Sequence, residues 1–354
     1  MENSSKNILV APLNWGLGHA TRCIPIIREL EKNGFTPILA SDGDALQILQ
    51  KEFPYLQTLT LPSYKIEYAK NGATFKWKLL KNSPKIINAI LSEKRLVKKW
   101  ILEYGLNGII SDNRLGVYSK KIPSVFITHQ LTVLSGKTTW ISSKLHHYFI
   151  KKFTQCWIPD MEEQPSLSGK LGHLKNNKIN LIYLGPLSRL EKKELPIQYD
   201  LMVLLSGPEP QRTYLEQKLK NEIQFFTGKV LFIEGAIASE QKTERYQNVT
   251  YYNFMTTQEL EIAFNESAMV LCRSGYTTIM DLAKLGKKAF FIPTPGQSEQ
   301  EYLAKRLQRK SFVPYANQED FVIENLQEVN LYKGLPQLEK NIHWKELFIL
   351  FEGE

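Results

Sequence analysis

The sequence lacks the features that mark a secreted or membrane-spanning protein. It has three cysteines in 354 residues, and Cys23, Cys156 and Cys272 lie too far apart for a disulfide framework or a metal site. No apolar run approaches the roughly 18 residues that a membrane-spanning helix needs. The polar N-terminus has no apolar signal core. We therefore expect free thiols in a reducing compartment and a cytoplasmic protein.

Strand-like and helix-like segments alternate in both halves of the chain. Asn7–Ala11 predicts a strand and His19–Asn33 a helix, and the rhythm restarts with a strand at Leu201–Ser206 and a helix at Thr277–Leu285. Such alternation is typical of a parallel sheet covered by helices on both faces. We predict an α/β protein with two doubly wound domains. The predicted ranges are 1–185 for the first domain, 186–200 for a polar linker, 201–335 for the second domain and 336–354 for a final helical segment.

The positive charge is concentrated in one part of the chain. Residues 65–152 hold 17 Lys or Arg and 4 Asp or Glu, whereas the whole protein has a net charge of +9. Within this region, Ala73–Tyr104 mixes aromatic and aliphatic residues with lysines. Two interpretations stay open: an anionic membrane surface, or an amphipathic helix whose lysines are solvated. No nucleic-acid-binding motif accompanies the charge, so we expect no nucleic-acid partner.

A strand, a Ser-Gly turn and a helix follow one another at Met269–Leu285. The unpaired N–H groups of a helix N-terminus bind phosphate without a metal, and Gly275 lets a ligand approach the backbone. Hydroxyl groups surround that turn, and Asp281 lies one turn into the helix, where a carboxylate can accept the hydroxyls of a ribose. The segment therefore predicts a nucleotide site. Its hydroxyl-bearing residues are Ser274, Thr277 and Thr278.

The segment CRSGYTTIMDLAKLGKKAFFIPTPGQSEQEYLA, which starts at Cys272, resembles the donor site of MurG-type family 28 glycosyltransferases. The resemblance implies the GT-B fold, with two Rossmann-like domains facing a central cleft, and a metal-independent, inverting enzyme. It implies that Ser274 and Gly275 contact the diphosphate, Asp281 the ribose and Gln300 the sugar. The family usually has Glu where Asp281 stands and Gln where Glu301 stands. Further donor-site candidates are Gly207, Phe254, Met255, Arg273, Tyr276 and Gln297.

A second motif, NWGLGHATR, lies between the first strand and the first helix and contains His19. Inverting transfer needs a base for the acceptor hydroxyl, and a histidine with a pKa near 6.5 suits that task. In related two-domain transferases this histidine is oriented by an aspartate after a later strand. Asp112 of the motif SDNRLG has that position, so we predict that His19 and Asp112 form a catalytic pair.

Other residues of the first domain are candidates for acceptor binding. GLGHATR, SDNRLG and FITHQ together resemble a group of uncharacterised prokaryotic relatives of MurG. His129 is also a rival for the role of base. Asp42–Gly43–Asp44 is interpreted as a turn and helix cap, not as a metal-binding Asp-x-Asp motif. The acceptor-side candidates are Gly16, Gly18, Arg22, Asn113, Arg114, His129 and Gln130.

These patterns together predict a glycosyltransferase that moves a sugar from a nucleoside-diphosphate sugar, UDP-linked by resemblance, to a hydroxyl acceptor. A lipid or membrane-associated acceptor at the inner face of the plasma membrane is one option. We expect no cofactor and no metal beyond the nucleotide-sugar co-substrate. Two alternatives stay open: a UDP-sugar 2-epimerase or hydrolase of the same fold, and a sugar-nucleotide-binding protein without catalysis.

Overall fold

The computed structural model describes residues 5–64, 72–174, 178–207, 209–236, 238 and 240–353, and the side chains of these residues except 72–84 and 137. The chain divides into two compact units. The first unit comprises Met1–Glu67, Leu79–Leu187 and Glu339–Glu354, and the second comprises Tyr68–Lys78 and Ser188–Leu338. Of the predicted basic stretch Ala73–Tyr104, the side chains of residues 73–84 lie outside the described part of the structure. No helix of the described residues is long and apolar enough to cross a membrane.

The first unit is built on a seven-stranded parallel sheet of order β3-β2-β1-β4-β5-β6-β7. The strand order reverses between β1 and β4, where a gap opens at the carboxyl edge of such a sheet. Its strands are β1 Asn7–Pro12, β2 Thr36–Ser41, β3 Thr58–Thr60, β4 Leu106–Asp112, β5 Ser124–Ile127, β6 Gln155–Ile158 and β7 Leu181–Tyr183. Its helices are α1 Gly18–Lys32, α2 Gly43–Glu52, α3 Gly72–Glu103 and α4 Thr139–Ile150.

The second unit has a six-stranded sheet of order β10-β11-β9-β8-β12-β13, parallel except for the β10–β11 hairpin. Its strand order reverses between β8 and β12. The strands are β8 Tyr199–Leu204, β9 Val230–Ile233, β10 Thr243–Tyr246, β11 Val249–Tyr252, β12 Ser267–Cys272 and β13 Lys288–Phe291. The helices are α5 Gln211–Glu222, α6 Thr257–Asn265, α7 Tyr276–Leu285 and α8 Ser298–Arg309.

Apolar side chains from strands and helices form the cores of both units, as the strand–helix alternation requires. In the first unit, Leu9 and Ile109 of neighbouring strands pack with Trp100 of α3. In the second, Val203 and Leu271 pack with Leu215 of α5. The prediction of two doubly wound α/β units is therefore confirmed, although the short strands β3, β6, β7 and β10 were not recognised in the sequence.

The end of the chain packs on the first unit through aromatic side chains. The last helix, α9 Trp344–Phe348, brings Phe348 within 5.7 Å of Phe35, measured between ring centroids. Phe351 lies over β4 where Gly108 has no side chain, and a Cβ there would come within 2.2 Å of the Phe351 ring. Both phenylalanines are buried. The final segment therefore completes the core of the first unit.

The predicted polar linker 186–200 is not loosely solvated. Leu190 is fully buried, and the backbone N–H of Lys193 donates to Oδ1 of Asn265 at 2.9 Å. Ser188 donates its hydroxyl to Asp281 at 2.6 Å. From Ser188 onward this segment belongs to the second unit and supplies contacts near its predicted donor site.

Candidate functional site

Two predicted catalytic residues meet at the switch point of the first sheet. β1 ends at Pro12 and β4 ends at Asp112, and these two residues are register partners. His19 lies in the first turn of α1, directly after β1. Its Nδ1 lies 2.8 Å from Oδ1 of Asp112, which is fully buried. The strand order therefore brings together two side chains that are 93 residues apart in the sequence.

Arg22 links this pair to a second histidine. It lies three residues after His19 on α1, so the two side chains share one face of the helix. Its Nε and Nη2 donate to the two carboxylate oxygens of Asp112, and its Nη1 lies 2.9 Å from Nδ1 of His129. Arg22 is 1% exposed. Its guanidinium is thus engaged inside the protein, which corrects the expectation that Arg22 meets an acceptor phosphate.

The charges in this cluster set the protonation of its members. Burial alone would raise the pKa of Asp112, but the neighbouring Arg22 and His19 hold that pKa at about 2. Burial lowers the pKa of His19, and the attraction of Asp112 opposes this only in part. His19 is therefore neutral at pH 7 beside a permanent carboxylate, the protonation state that a general base requires.

Hydrogen-bond partners bear on the tautomers of the two histidines. Nδ1 of His19 lies 2.8 Å from Oδ1 of Asp112, which only accepts, and 2.9 Å from Nη2 of Arg22, which only donates. Because Nη2 of Arg22 also donates to Oδ1 of Asp112, we assign the proton of neutral His19 to Nδ1 and its lone pair to Nε2. Arginine only donates, so Nδ1 of His129 accepts from Arg22 and the proton of its neutral ring is on Nε2. His19 thus has a basic Nε2, whereas Nε2 of His129 is a hydrogen-bond donor.

Arg114, a predicted acceptor-side residue, is committed to the core of the first unit. It is fully buried, and its guanidinium donates to Glu93 at 2.9 Å, to the carbonyl oxygen of Pro12 at 2.9 Å, and to Asp42. Glu93 in turn accepts from Tyr64 at 2.8 Å. This network corrects the expected role of Arg114 because no part of its side chain reaches solvent.

The Asp-x-Asp motif is a helix start, as interpreted, but its first side chain does not cap the helix. Asp42 is the N-cap residue of α2 and forms no side-chain cap hydrogen bond. Its carboxylate pairs instead with Arg114. Among the described residues, no group of three or more His, Cys, Asp or Glu is placed to hold a metal ion.

The remaining acceptor-side candidates surround the histidine cluster. Gly16 has a φ of +76° in the β1–α1 loop, and a Cβ added there would meet nothing within 4 Å. Gly18 begins α1, and Asn113 follows Asp112 with a φ of +59°. His129 and Gln130 follow β5, the neighbour of β4. The structure therefore brings these residues to the carboxyl edge of one sheet.

The predicted donor residues occupy the switch point of the second sheet. Gly207 follows β8 with a φ of +106°, a backbone conformation that favours glycine, and Gly275 is the N-cap of α7 after β12. No side chain caps α7 at Gly275. The hydroxyl of Thr294 would lie 3.9 Å from a Cβ on Gly207, is buried, and has no hydrogen-bond partner among the described residues. The carboxyl edge of the second sheet thus has free space beside the backbone of Gly207 and a buried Thr294 hydroxyl without a partner among the described residues.

Three of the predicted donor-site side chains support the loops of this site. The hydroxyl of Ser274 is buried and donates to the carbonyl oxygen of Gln300 at 2.9 Å. Oε1 of Gln300 accepts from the backbone N–H of Thr294 at 2.8 Å. Glu301 accepts from the backbone N–H of Gly296 at 2.9 Å. These bonds tie the β12–α7 turn to the loop before α8.

Arg273 is a buried cation without a carboxylate partner among the described residues. Its guanidinium donates to the carbonyl oxygens of Ile292, Pro293 and Gln211, and to Gln318 at 2.7 Å. It is 1% exposed, and burial lowers its pKa to about 9. These bonds direct the side chain of Arg273 into the second unit.

Asp281 is buried one turn into α7, and its Oδ1 accepts from the hydroxyl of Ser188 at 2.6 Å. Burial raises the pKa of Asp281 to about 6, although the hydrogen bond from Ser188 and the charge of Arg189 oppose the shift. Ser188 was missed in the sequence because the linker prediction placed it outside the domain.

Other donor-site candidates differ in exposure. Phe254 and Met255 are half-buried in the loop before α6, where Gln241 donates to the carbonyl oxygen of Phe254 at 2.9 Å. Tyr276 is 3% exposed and belongs to the core. The half-buried candidates along the helix starts are Thr277 and Thr278 of α7 and Gln297 before α8.

Known proteins resemble this chain in sequence over both units. Residues 206–343 match the glycosyltransferase family 28 C-terminal domain. A UDP-N-acetylglucosamine–N-acetylmuramyl-(pentapeptide) pyrophosphoryl-undecaprenol N-acetylglucosamine transferase of Haemophilus ducreyi is 22% identical over 331 residues, which cover 91% of this chain and 88% of the relative.

Solved structures share the fold over the whole chain. MurG of Acinetobacter baumannii has a TM-score of 0.55 and 12% identity, covering 98% of this chain and 99% of that one. A UDP-glucosyltransferase of Polygonum tinctorium has a TM-score of 0.63 at 12% identity, with complete coverage of both chains. This likeness shows that the chain has the GT-B fold, built from two Rossmann-like units. The chain is similar to MurG-like glycosyltransferases, and its residues 206–343 match the family 28 C-terminal domain.

Proposed function

We propose that the protein is an inverting, metal-independent glycosyltransferase that uses a UDP-linked sugar and a hydroxyl acceptor. The observation that carries the proposal is the 2.8 Å contact between Nδ1 of His19 and the buried carboxylate of Asp112. A binding protein has no need of a neutral imidazole oriented by a buried carboxylate, whereas glycosyl transfer needs a positioned base. The pair therefore favours catalysis.

In the proposed reaction, Nε2 of His19 removes the proton of the acceptor hydroxyl as its oxygen attacks the anomeric carbon. The bond between that carbon and the diphosphate breaks, and the electron pair leaves with the diphosphate. Attack from the opposite side inverts the anomeric centre. Asp112 keeps the proton of neutral His19 on Nδ1 and stabilises the imidazolium that forms.

His129 is the weaker candidate for the base. Its Nδ1 accepts from Arg22 at 2.9 Å, so its neutral ring holds its proton on Nε2. We propose that His129 donates a hydrogen bond on the acceptor side, while His19 alone removes a proton. Arg22 then serves as a positioning residue that orients Asp112 and fixes the tautomer of His129.

The second unit supports binding of a nucleoside diphosphate. The α7 N-terminus has no side-chain cap and opens at Gly275, so its backbone N–H groups favour a phosphate. The buried cation Arg273 precedes Ser274 and adds a positive field that no described carboxylate neutralises. Preorganised positive charge of this kind stabilises a departing diphosphate. We propose that these groups replace a metal.

The identity of the donor and acceptor is proposed from the relatives. The Haemophilus ducreyi transferase is named for a UDP-N-acetylglucosamine donor and a pyrophosphoryl-undecaprenol acceptor. We propose a UDP-sugar whose ribose meets Asp281, whose uracil lies near Phe254 and whose sugar meets the loop of Gln300. For the acceptor we propose a lipid-linked hydroxyl compound, reached by a cytoplasmic protein resting on an anionic membrane surface.

Calorimetric titration tests this proposal directly. The wild-type protein is titrated with UDP, GDP, dTDP and several UDP-sugars, each with and without EDTA. Binding that prefers uridine and persists in EDTA supports the proposal, whereas binding that requires manganese contradicts it. Incubation with UDP-sugar alone is the second arm, since rapid epimerisation of the sugar would show a different reaction.

A further inference from the structure

The side chain of Thr294 is a buried polar group whose hydrogen bonding is incomplete. Thr294 follows β13 and is 1% exposed, and its hydroxyl has no hydrogen-bond partner among the described residues. Its backbone is satisfied, since its N–H donates to Oε1 of Gln300 at 2.8 Å and its carbonyl oxygen accepts from the N–H of Gln297 at 3.1 Å. A buried hydroxyl without a partner costs free energy, so it marks a place where a ligand can complete the bonding.

This hydroxyl lies beside the turn that follows β8. Among the described residues beyond its chain neighbours, a Cβ built on Gly207 would meet only the Thr294 hydroxyl, at 3.9 Å. The strands β8 and β13 lie on either side of β12 in the sheet. The loops after β8 and β13 therefore meet over the end of β12, where the turn at Gly275 begins α7.

Two hydrogen bonds connect Thr294 to the turn at Gly275. Gln300 accepts from the N–H of Thr294 through its side chain, and from the Ser274 hydroxyl through its carbonyl oxygen at 2.9 Å. Ser274 is the residue before Gly275, where α7 starts without a side-chain cap. Because the two loops are fixed to each other, the Thr294 hydroxyl belongs to the same site as the uncapped helix start.

The surroundings of the Thr294 hydroxyl favour a negatively charged ligand. Nη1 of Arg273 donates to the carbonyl oxygens of Ile292 and Pro293, the two residues before Thr294, at 3.1 Å each. Nε of Arg273 is buried and also has no partner among the described residues. A buried cation and a hydroxyl donor attract an anionic oxygen more strongly than the neutral hydroxyl of a sugar, because charges interact strongly in the low dielectric of the interior.

The order of the strands determines which part of a nucleotide extends to Thr294. The loop of Phe254, proposed to lie near the base, follows β11, whereas Thr294 follows β13. These strands are four places apart in the sheet, which at about 4.8 Å per strand gives roughly 19 Å. A nucleotide with its base near Phe254 therefore extends its terminal phosphate, and not its nucleoside, toward Thr294.

We infer that the hydroxyl of Thr294 donates a hydrogen bond to the terminal phosphate of a nucleoside diphosphate, the group that leaves in the proposed transfer. The inference deepens the proposed function, on which it rests for the presence of a nucleotide in the second unit. Because the hydroxyl is buried, the Gly207 turn must shift for the phosphate to reach it. Glycine adopts such a change of backbone conformation more readily than other residues do.

The variant Thr294→Val tests the inference because it replaces the hydroxyl by a methyl group of similar size. Calorimetric titration should give a Kd for UDP at least about tenfold higher than in the wild type, since a hydrogen bond to a charged group is lost. The Kd for UMP should stay the same. The midpoint of urea unfolding, followed by circular dichroism, should be unchanged or higher because a buried hydroxyl without a partner has been removed.

Two further variants serve as controls. Thr294→Ser keeps the hydroxyl and should bind UDP with nearly wild-type affinity, although its urea midpoint should fall because a buried methyl group is lost. Ser267, at the start of β12, has a buried hydroxyl that donates to the carbonyl oxygen of Ala263 at 2.6 Å. Because this hydroxyl has a partner, Ser267→Ala should lower the urea midpoint and leave the affinity for UDP unchanged.

Three results for Thr294→Val would overturn the inference. Equal weakening of UDP and UMP binding would place the hydroxyl near the nucleoside, and weakening of UDP-sugar binding alone would place it near the sugar. A lower urea midpoint together with weaker UDP binding would show a structural role.

The titrations also separate this inference from the proposed function. If the wild type binds UDP and Thr294→Val binds it equally well, only the inference about Thr294 fails. If the wild type binds neither UDP nor a UDP-sugar, the proposed function fails, and the inference fails with it.

Discussion

Nδ1 of His19 lies 2.8 Å from Oδ1 of Asp112, while Arg22 holds the same carboxylate from one helical turn further along α1. The carboxylate therefore has two partners at once, a permanent cation and a neutral imidazole. This arrangement keeps Asp112 ionised and leaves the outer nitrogen of His19 basic. The two partners of Asp112 have separate roles. Arg22 balances the charge of the carboxylate, and His19 can gain and lose a proton.

The first prediction concerns this pair. His19→Ala should lower kcat by about 10²–10⁴ because the base is lost. Asp112→Asn should lower kcat by a similar factor because an amide can donate to Nδ1 and place the proton of His19 on Nε2. In the wild type, kcat/KM should fall only as pH drops through a value below 6.5, because burial lowers the pKa of His19.

The pH profile distinguishes the two histidines. His129→Gln should keep the acid limb of kcat/KM at the same pH as the wild type, even if the rate is lower. Disappearance of that limb in His129→Gln, with retention in His19→Ala, would reverse the assignment. Asp112→Asn also weakens the pairing of the buried Arg22, so circular dichroism should accompany the kinetics.

The second prediction concerns the backbone at Gly275. Its φ is −71°, which any residue adopts, and a Cβ would meet only the Thr278 hydroxyl, at 3.9 Å. Gly275→Val should therefore change the free energy of unfolding by about 1 kcal/mol or less. It should weaken UDP binding at least tenfold, on the order of 1.4 kcal/mol, because the side chain fills the space of the phosphate.

Gly286 offers the opposite control at the other end of α7. Its φ is +65°, and a Cβ would come within 2.2 Å of Gln337. Gly286→Ala should therefore destabilise the protein by about 1 kcal/mol or more while the folded fraction keeps its affinity for UDP. Calorimetry and thermal unfolding measure both quantities. If Gly275→Val binds UDP as tightly as the wild type does, the phosphate of UDP does not bind at this turn.

The third prediction follows from Asp281, whose pKa burial raises to about 6. UDP affinity should fall as pH decreases from 8 to 5, because the protonated carboxyl is a poorer acceptor for ribose hydroxyls. Asp281→Asn should bind UDP weakly at every pH in this range. A titration series of both proteins measures the effect, and parallel pH profiles would exclude Asp281 from the ribose site.

The free energy of unfolding should increase as pH decreases, whereas UDP affinity should decrease. The folded-state pKa of Asp281 lies above the usual value of 3.8, so the folded state binds the proton more tightly than the unfolded state does. The ionised carboxylate therefore destabilises the fold fully above about pH 6, and this cost declines as pH falls from about 6 to the usual pKa of 3.8. Asp281→Asn should consequently raise the free energy of unfolding at pH 8, by on the order of 1 kcal/mol, and less at pH 5.

The fourth prediction concerns the buried ion pair of Arg114 and Glu93, which are both 0% exposed. Arg114→Met leaves Glu93 without its cation and should reduce the free energy of unfolding by about 3–5 kcal/mol. Arg114→Met/Glu93→Leu should cost less than the single change. Tryptophan fluorescence during urea unfolding reports on this unit because Trp100 and Trp157 are buried in it.

The exposed pair of Arg28 and Glu52 gives a matched control. Arg28 is 45% exposed in this pair, so Arg28→Met should cost about 1 kcal/mol or less. Equal costs for Arg114→Met and Arg28→Met would show that the Arg114 network contributes no more than a surface ion pair.

Much of the fold was predictable because strand and helix periodicities are local. The runs near Asn7, Leu201 and Met269 were recognised as strands since each is apolar over several residues and ends in a turn. The short strands β3, β6, β7 and β10 were not recognised because three or four residues, exposed in β10, show no clear alternation. The contacts within the predicted linker were not foreseen, because Ser188 and Leu190 look like surface residues until the fold places Ser188 beside Asp281 and buries Leu190.

The site was predictable in part. His19 and Asp112 were both recognised because each follows a strand, and parallel strands end at one edge. Arg22 was recognised as basic, but its partners were not, although the His-x-x-Arg spacing on one helix face was a usable signal. Arg114 was misjudged because a lone arginine in a loop usually faces solvent. Its partners Asp42 and Glu93 come from two different helices.

The sequence by itself determined the class of fold, the strand–turn–helix unit at Gly275 and the presence of a histidine at the start of α1, because these depend on neighbouring residues. Only the tertiary structure decided what those residues contact. The order of strands puts β1 beside β4 and so gives His19 its carboxylate, and burial of Asp112 and Arg22 sets the protonation of the pair. The order of strands in the second sheet likewise places the Thr294 hydroxyl beside Gly207, which no local pattern of residues specifies.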